Sequence, residues 1–103
     1  MTNRIDVKFK ALRGEGQKAF VAFITAGDPD LSATEELVLA FEDSGVDIVE
    51  LGVPFSDPLA DGPTIQAASY RALKNGTTFE KILKTVARIR KRTALPVALM
   101  TYY

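Results

Sequence analysis

Two carboxylates, Glu50 and Asp61, have sequence surroundings that could give them different chemical roles. Glu50 lies within an apolar run, residues 46–53, that predicts a buried parallel strand. Because side chains alternate along a strand, Glu50 would share one face with Gly52 while apolar neighbours fill the other. An unpaired carboxylate in apolar surroundings resists ionisation, so Glu50 could take up and return protons near neutral pH. The alternative is a structural acid that pairs with a basic residue elsewhere.

Asp61 lies at the end of a stretch, residues 54–62, that predicts a stiff and irregular loop rich in proline. Pro63 suits the first turn of a new helix, which places Asp61 or Gly62 near the cap. The positive end of the helix dipole would favour the ionised form of Asp61. One carboxylate in apolar and one in polar surroundings is the pattern that separates an acid/base from a fixed anion. An ordinary helix cap is the alternative for Asp61.

Apolar periodicity predicts the helices and strands that must position these carboxylates. The predicted elements are a short amphipathic helix through Ile5, Phe9 and Leu12, strands at residues 19–25, 46–53 and 96–102, a helix that starts at a Ser32–Glu35 capping box, a helix from Pro63 to Gly76, and a helix that starts at a Thr77–Glu80 capping box. Strands that alternate with helices are typical of a parallel sheet with right-handed crossovers.

Composition excludes several classes of function. Lys+Arg and Asp+Glu are equal at 13 each, so no overall field favours nucleic acid or an anionic membrane. Cysteine and histidine are absent from the sequence, which excludes a thiol nucleophile, a histidine base and the commonest zinc sites within it. Catalysis here would therefore rest mainly on carboxylates. The apolar runs are too short to span a bilayer and the N-terminus lacks a signal-peptide core, so we expect a cytoplasmic location.

The charges are unevenly distributed. Every charged residue between Lys18 and Arg71 is acidic, so this part of the chain is a poor place for a phosphate group. A basic cluster, residues 88–92, ends the last predicted helix and suits the negative end of its dipole. We interpret the cluster as a solvated helix end, with an anion site as the alternative.

The string ELGVPFSDPLADGPTIQ, residues 50–66, closely resembles the signature of the tryptophan synthase alpha chain family, and residues 23–29 resemble that family's first strand and loop. The resemblance extends over essentially all 103 residues. It implies an α/β fold, the (β/α)8 TIM barrel. The chain would cover an N-terminal helix and about the first three βα units of this single domain. A complete barrel needs roughly 250 residues, so we expect residues 1–103 to be its truncated N-terminal part.

The resemblance also implies a chemistry, the retro-aldol cleavage of indole-3-glycerol phosphate to indole and glyceraldehyde 3-phosphate. Glu50 would be the acid/base, and Asp61 would accept a hydrogen bond from the indole N–H. Phe23, Met100 and Tyr102 would pack against the indole ring. The resemblance implies no metal and no organic cofactor in this chain.

A partner is implied as well, the pyridoxal-phosphate-dependent beta chain of an alpha2beta2 complex in tryptophan biosynthesis. We expect it to dock on a loop formed by Pro54, Phe55, Ser56, Asp57 and Pro58, for which a plain active-site rim is the other interpretation. Two further functions stay open. One is a free-standing lyase that releases indole, and the other is a non-catalytic fragment that self-associates through open sheet edges.

Overall fold

The computed structural model describes residues 2–57 and 60–102, which form four helices and three parallel strands. In chain order the elements are α1 (Arg4–Gly14), β1 (Val21–Thr25), α2 (Leu31–Asp43), β2 (Ile48–Gly52), α3 (Pro63–Lys74), α4 (Phe79–Arg92) and β3 (Val97–Met100). The strands pair in the order β1-β2-β3. This is the succession of elements that the sequence predicts, with the extra helix α3 inserted after β2.

The hydrophobic core lies between one face of the sheet and the helices α2 and α4. Val49 and Leu51 of β2 are fully buried in one cluster with Val38 of α2 and Ile82 of α4. Burying an aliphatic side chain of this size stabilises a fold by about 1.5–3 kcal/mol. Because neighbouring side chains on a strand point to opposite faces, this packing decides that Glu50 faces away from the helices.

Salt bridges join α2 to α4 at the surface. Glu35 accepts hydrogen bonds from Arg88 at 3.1 Å and from Arg92 at 2.9 Å, and Arg92 also donates to Glu36 at 3.0 Å. The hydrogen bond from Arg92, followed by that from Arg88, lowers the pKa of Glu35. Two arginines of residues 88–92 are thus partners of α2, and their side chains remain 55% and 46% exposed, as a solvated helix end requires.

The N-cap residues of two helices differ from those of the predicted capping boxes: α2 starts earlier than predicted and α4 starts later. Asp30 rather than Ser32 caps α2, and its carboxylate accepts a backbone N–H at 2.7 Å. Thr78 rather than Thr77 caps α4. Thr77 is buried, and its side chain occupies the space where Gly27 would carry a Cβ. Thr77 is therefore used in tertiary packing, and Thr78 caps the helix.

The helix α1 lies beside the amino-terminal ends of β2 and β3, because residues of α1 and residues preceding these strands line one cleft. None of its side chains is buried. Among residues 2–57 and 60–102, no helix is long and apolar enough to cross a membrane. Nor do these residues include a group of three or more histidine, cysteine, aspartate or glutamate side chains placed to hold a metal ion.

The lowered pKa of Glu35 predicts an acid-dependent loss of stability. Its ordinary value of 4.5 applies to the unfolded chain and the folded value is lower, so the unfolded state binds a proton first as the pH falls. The ion pairs therefore stabilise the fold fully above pH 4.5, and this contribution is lost as the pH falls through the lowered folded pKa. Urea midpoints measured from about pH 7 to about pH 3 should show this loss, and Glu35→Gln should make it smaller.

Glu80→Gln is the matched control for this measurement. Glu80 is exposed, and its ion pair is with Lys84 of the same helix at 3.4 Å. Removing its charge should leave the pH profile of the parent unchanged. A Glu35→Gln protein with the same acid profile as the parent would contradict the role of this ion pair.

Candidate active site

Glu50 lies on the sheet face that the helices leave uncovered. It is in register with Phe23 of β1 and Ala98 of β3, so these side chains share one row across the sheet. The Glu50 side chain is partly exposed. Within the described part of the chain no basic side chain forms an ion pair with it. The described residues therefore offer no support for Glu50 as a structural acid bound to a cation.

A pocket of about 190 Å³ opens at the carboxyl ends of the three strands. It is lined by residues from all three strands, from the loop after β2 and from α3: Phe23, Thr25, Gly52, Val53, Ala60, Asp61, Ile65, Ser69, Met100, Thr101 and Tyr102. An apolar cavity of about 150 Å³ can hold a benzene ring, so this pocket suits a small aromatic group. Glu50 is outside this lining and lies two residues before Gly52 on the same face.

Phe23 covers the end of β2 because Gly52 has no side chain. A Cβ at residue 52 would lie 2.5 Å from Cζ and 2.9 Å from Cε2 of the Phe23 ring, well inside van der Waals contact. Phe23 is 37% exposed, and its ring lies against the pocket rather than in the core. The space that Gly52 leaves on the face it shares with Glu50 is thus occupied by the aromatic wall of the pocket.

Asp61 enters the pocket from the amino-terminal end of α3. Gly62 rather than Asp61 is the N-cap residue, and Pro63 takes the first helical position. The backbone carbonyl of Asp61 accepts a hydrogen bond from Gln66 Nε2 at 2.8 Å, which ties this residue to the first turn. Burial, and next a hydrogen bond to the Asp61 carboxylate, raises the pKa of the Tyr102 phenol. Asp61 and Tyr102 therefore meet at one side of the pocket.

The predicted docking loop packs on the same tyrosine. The ring of Phe55 stacks on Tyr102 with centroids 4.8 Å apart and planes inclined by 24°. Pro54 is buried, whereas Ser56 and Asp57 are exposed and joined by a hydrogen bond of 3.1 Å. Pro58 lies outside the described residues. Tyr102 therefore contacts the loop and also lines the pocket, so a movement of the loop would change the shape of the pocket.

Seven lining residues were not among the predicted site residues, and three of them show what sequence reasoning could and could not find. Thr25 follows Phe23 by two positions on β1, and the alternation of side chains along a strand could have identified it. Ile65 and Ser69 are four residues apart on α3 and so share one face of that helix. Sequence spacing defines such a face, but only the packing of α3 shows that it turns toward the pocket.

A parallel sheet with helices on one face and a pocket with a carboxylate at the carboxyl ends of its strands is the architecture of βα-barrel enzymes. The family model of the tryptophan synthase alpha chain matches residues 9–103. The chain belongs to the tryptophan synthase alpha chain family.

Known proteins of this family are similar over nearly all of the chain. The tryptophan synthase alpha chain of Thermoanaerobacter sp. (strain X514) is 56% identical over 101 residues, which are 98% of this chain and 38% of that protein. The chain thus spans about 38% of the length of the curated relatives that it matches.

Solved structures show the same similarity. Tryptophan synthase subunit alpha from Legionella pneumophila str. Paris superposes with a TM-score of 0.95 and 41% identity, over 99% of this chain and 39% of that one. The tryptophan synthase a2b2 complex from Pyrococcus furiosus includes a chain with a TM-score of 0.77 and 46% identity, over 82% of this chain and 34% of that one. The fold is therefore that of a part of an α/β TIM barrel.

Gly52→Ala tests whether the end of β2 must stay open for Phe23. The added methyl group should displace the Phe23 ring and lower the free energy of unfolding by about 1–3 kcal/mol, as overpacking does. Phe23→Leu should relieve the clash, so the two changes should couple in a double-mutant cycle measured by urea denaturation. Gly14→Ala is the control, because nothing lies within 4 Å of the position that its methyl group would take. Strictly additive effects at 23 and 52 would contradict the contact.

Proposed function

We propose that the barrel to which this chain contributes cleaves indole-3-glycerol phosphate to indole and glyceraldehyde 3-phosphate. The observation that supports this most is the pocket at the strand ends, where Phe23, Asp61 and Met100 are brought together from three separate elements. Glu50 lies on the same sheet face, in the same row as Phe23. An apolar slot with a carboxylate at its edge suits a bicyclic aromatic ring that carries one N–H donor.

The proposed role of Glu50 is that of general acid/base. The reaction needs a proton delivered to indole C3 and a proton removed from the glycerol hydroxyl next to the bond that breaks. As that hydroxyl becomes an aldehyde, the carbon–carbon bond cleaves and its electron pair returns to the indole ring. A partly exposed carboxylate without a cationic partner among the described residues suits such proton exchange.

The proposed role of Asp61 is to accept a hydrogen bond from the indole N–H and to stabilise the positive charge that develops when C3 is protonated. Phe23 and Met100 would pack on the ring, with Tyr102 beside them. Charged acceptors make hydrogen bonds roughly twice as strong as neutral ones, so Asp61 could favour the protonated ring over the neutral one. The two carboxylates would then act at different atoms of one substrate.

The proposal requires no metal or organic cofactor in this chain, because the indole ring itself holds the electrons of the breaking bond. Pyridoxal phosphate would belong to the partner beta chain. The substrate's phosphate would be bound by parts of the barrel beyond this acidic stretch, since such folds commonly bind phosphate near their last strands. A cytoplasmic location belongs to the same proposal, because a phosphorylated substrate crosses membranes poorly.

The 103 residues by themselves leave the pocket face of the sheet open. Val21, Phe23 and Met100 are 42%, 37% and 55% exposed on this face, and β1 and β3 are the edge strands of the described sheet. Exposed apolar faces and free edges favour self-association. Activity is therefore tested in a completed barrel, in which residues 1–103 are joined to the part of the Thermoanaerobacter alpha chain that follows the matched region.

Glu50→Gln in the completed barrel tests the acid/base role. The amide keeps the size of the side chain but cannot exchange the proton, so turnover of indole-3-glycerol phosphate should fall by at least ~10²–10⁴-fold. The rate is measured as indole released. Glu80→Gln, an exposed change on α4, should keep the rate of the parent. Near-normal cleavage by Glu50→Gln would remove this residue from the mechanism.

We further propose that the barrel docks on a beta chain through the loop that begins at Pro54. The matching chain of the Pyrococcus furiosus structure belongs to an a2b2 complex. In this chain the loop is exposed from Phe55 to Asp57 and contacts Tyr102 at the pocket. A partner that presses on the loop could therefore influence the pocket directly, which suits transfer of indole between two active sites.

Asp57→Ala in the completed barrel tests docking. Asp57 is exposed, and its described side-chain contact is local, with Ser56. Its loss should raise the dissociation constant of the complex with a tryptophan synthase beta chain by about tenfold, as for a moderate interface residue. Asp43→Ala, exposed at the end of α2, is the matched control and should bind normally. Unchanged binding by Asp57→Ala, measured by titration calorimetry, would argue for a plain active-site rim.

A further inference from the structure

The helix α3 carries part of the pocket but buries little apolar surface against the other described residues. Asp61 directly precedes its cap, and Ile65 and Ser69 line the pocket from its first turns. Its buried residues are all small: Ala68, Ser69 and Ala72. Small side chains remove little apolar surface from water, so the hydrophobic effect holds this helix only weakly. Other interactions must determine where α3 lies.

A group of polar contacts near the carboxyl end of α3 fills this role. Arg71 donates from Nε and Nη2 to the two carboxylate oxygens of Asp28, at 2.8 and 2.9 Å. Asn75 Nδ2 donates to the backbone carbonyl of Pro29 at 2.9 Å. We call these four residues the α3 clamp. Two parallel charge-assisted hydrogen bonds restrain orientation as well as distance, because the guanidinium fork fits a carboxylate in one plane.

The surroundings of the clamp show that the contact is close. The Asp28 side chain is only 19% exposed, and the hydrogen bond from Arg71 lowers the pKa of its carboxyl group. Beside it, Gly27 has φ +92°, and the side chain of Thr77 leaves no space for a Cβ there. The loop after β1 and the end of α3 are therefore pressed together, with glycine required at the point of contact.

The clamp joins the two walls of the pocket. Asp28 follows β1, which supplies Phe23 and Thr25, and Arg71 lies on the helix that begins beside Asp61. Arg71 is about 12 Å from Pro63, the first residue of α3, along the helix axis at a rise of 1.5 Å per residue. A tilt of about 5° at the clamp would consequently move the start of the helix, and Asp61 beside it, by about 1 Å.

We propose that Asp28, Arg71 and Asn75 are positioning residues that set where Asp61 and the α3 wall lie against Phe23. This inference rests on the proposed lyase function and extends it to residues that do not touch the substrate. Reaction rates respond steeply to such placement, because a displacement of about 1 Å can cost ~10²-fold in rate.

Arg71→Gln in the completed barrel tests the proposal. The uncharged side chain loses the fork on Asp28, so kcat/KM for indole-3-glycerol phosphate should fall by about 10- to 100-fold. Arg71→Lys keeps the charge without the planar fork and should give an intermediate value. Arg92→Gln is the matched control, because it breaks contacts of similar length, at 2.9 and 3.0 Å, between α4 and α2. It should lower stability while keeping the kcat/KM of the parent.

Amide hydrogen exchange gives a second readout that does not depend on activity. Arg71→Gln should raise the exchange rate of amides in α3 and leave the rate in α4 unchanged. Arg92→Gln should raise the rate in α4 and leave the rate in α3 unchanged. Parent-like exchange in α3 of Arg71→Gln, or faster exchange with parent-like kcat/KM, would overturn the positioning role. Should Arg71→Gln not fold, Asn75→Ala and Arg71→Lys provide the same comparison.

The Glu50→Gln enzyme separates this proposal from the one on which it rests. A slow Glu50→Gln enzyme together with a parent-like Arg71→Gln enzyme would overturn the clamp alone. A fully active Glu50→Gln enzyme would overturn the proposed acid/base itself. Loss of kcat/KM in both variants, with normal kcat/KM in Arg92→Gln, is the expected result.

Discussion

The burial of one face of β2 is the constraint on which the rest of the structure depends. Val49 and Leu51 are fully buried against α2 and α4, and a strand that buries one set of alternate side chains must present the other set to the opposite side. Glu50 and Gly52 belong to that other set. The apolar residues thus place a carboxylate on the open face of the sheet, and a slip of one residue in register would move it into the core.

The pocket depends on a different kind of constraint. Aromatic rings contact one another, and a glycine leaves room for one of them. Phe23 lies over Gly52, and Phe55 stacks on Tyr102 at 4.8 Å. The hydroxyl of Tyr102 meets Asp61 and also accepts the Ala60 N–H at 3.3 Å. The loop, the pocket wall and the second carboxylate are therefore connected through one tyrosine.

Predictions from periodicity and from tertiary contact had different outcomes. The strand and helix order followed from apolar spacing, because burial imposes its period on the sequence. Both capping boxes were wrong by one or two residues, since Asp30 caps α2, and Thr77 packs on Gly27 and leaves Thr78 to cap α4. The ion pairs at the basic end of α4 were not predicted, because its acidic partners on α2 are more than 50 residues away in the chain.

The sequence by itself determined the family, the alternation of elements and the face on which Glu50 lies, because each depends on residue order or on local spacing. Only the tertiary structure decided that Ile65 and Ser69 face the pocket, and that Arg71 reaches Asp28 across 43 positions. The physical reason is that α3 buries only small side chains. Its orientation is therefore set by a few polar contacts between distant parts of the chain, and no periodicity in the sequence records them.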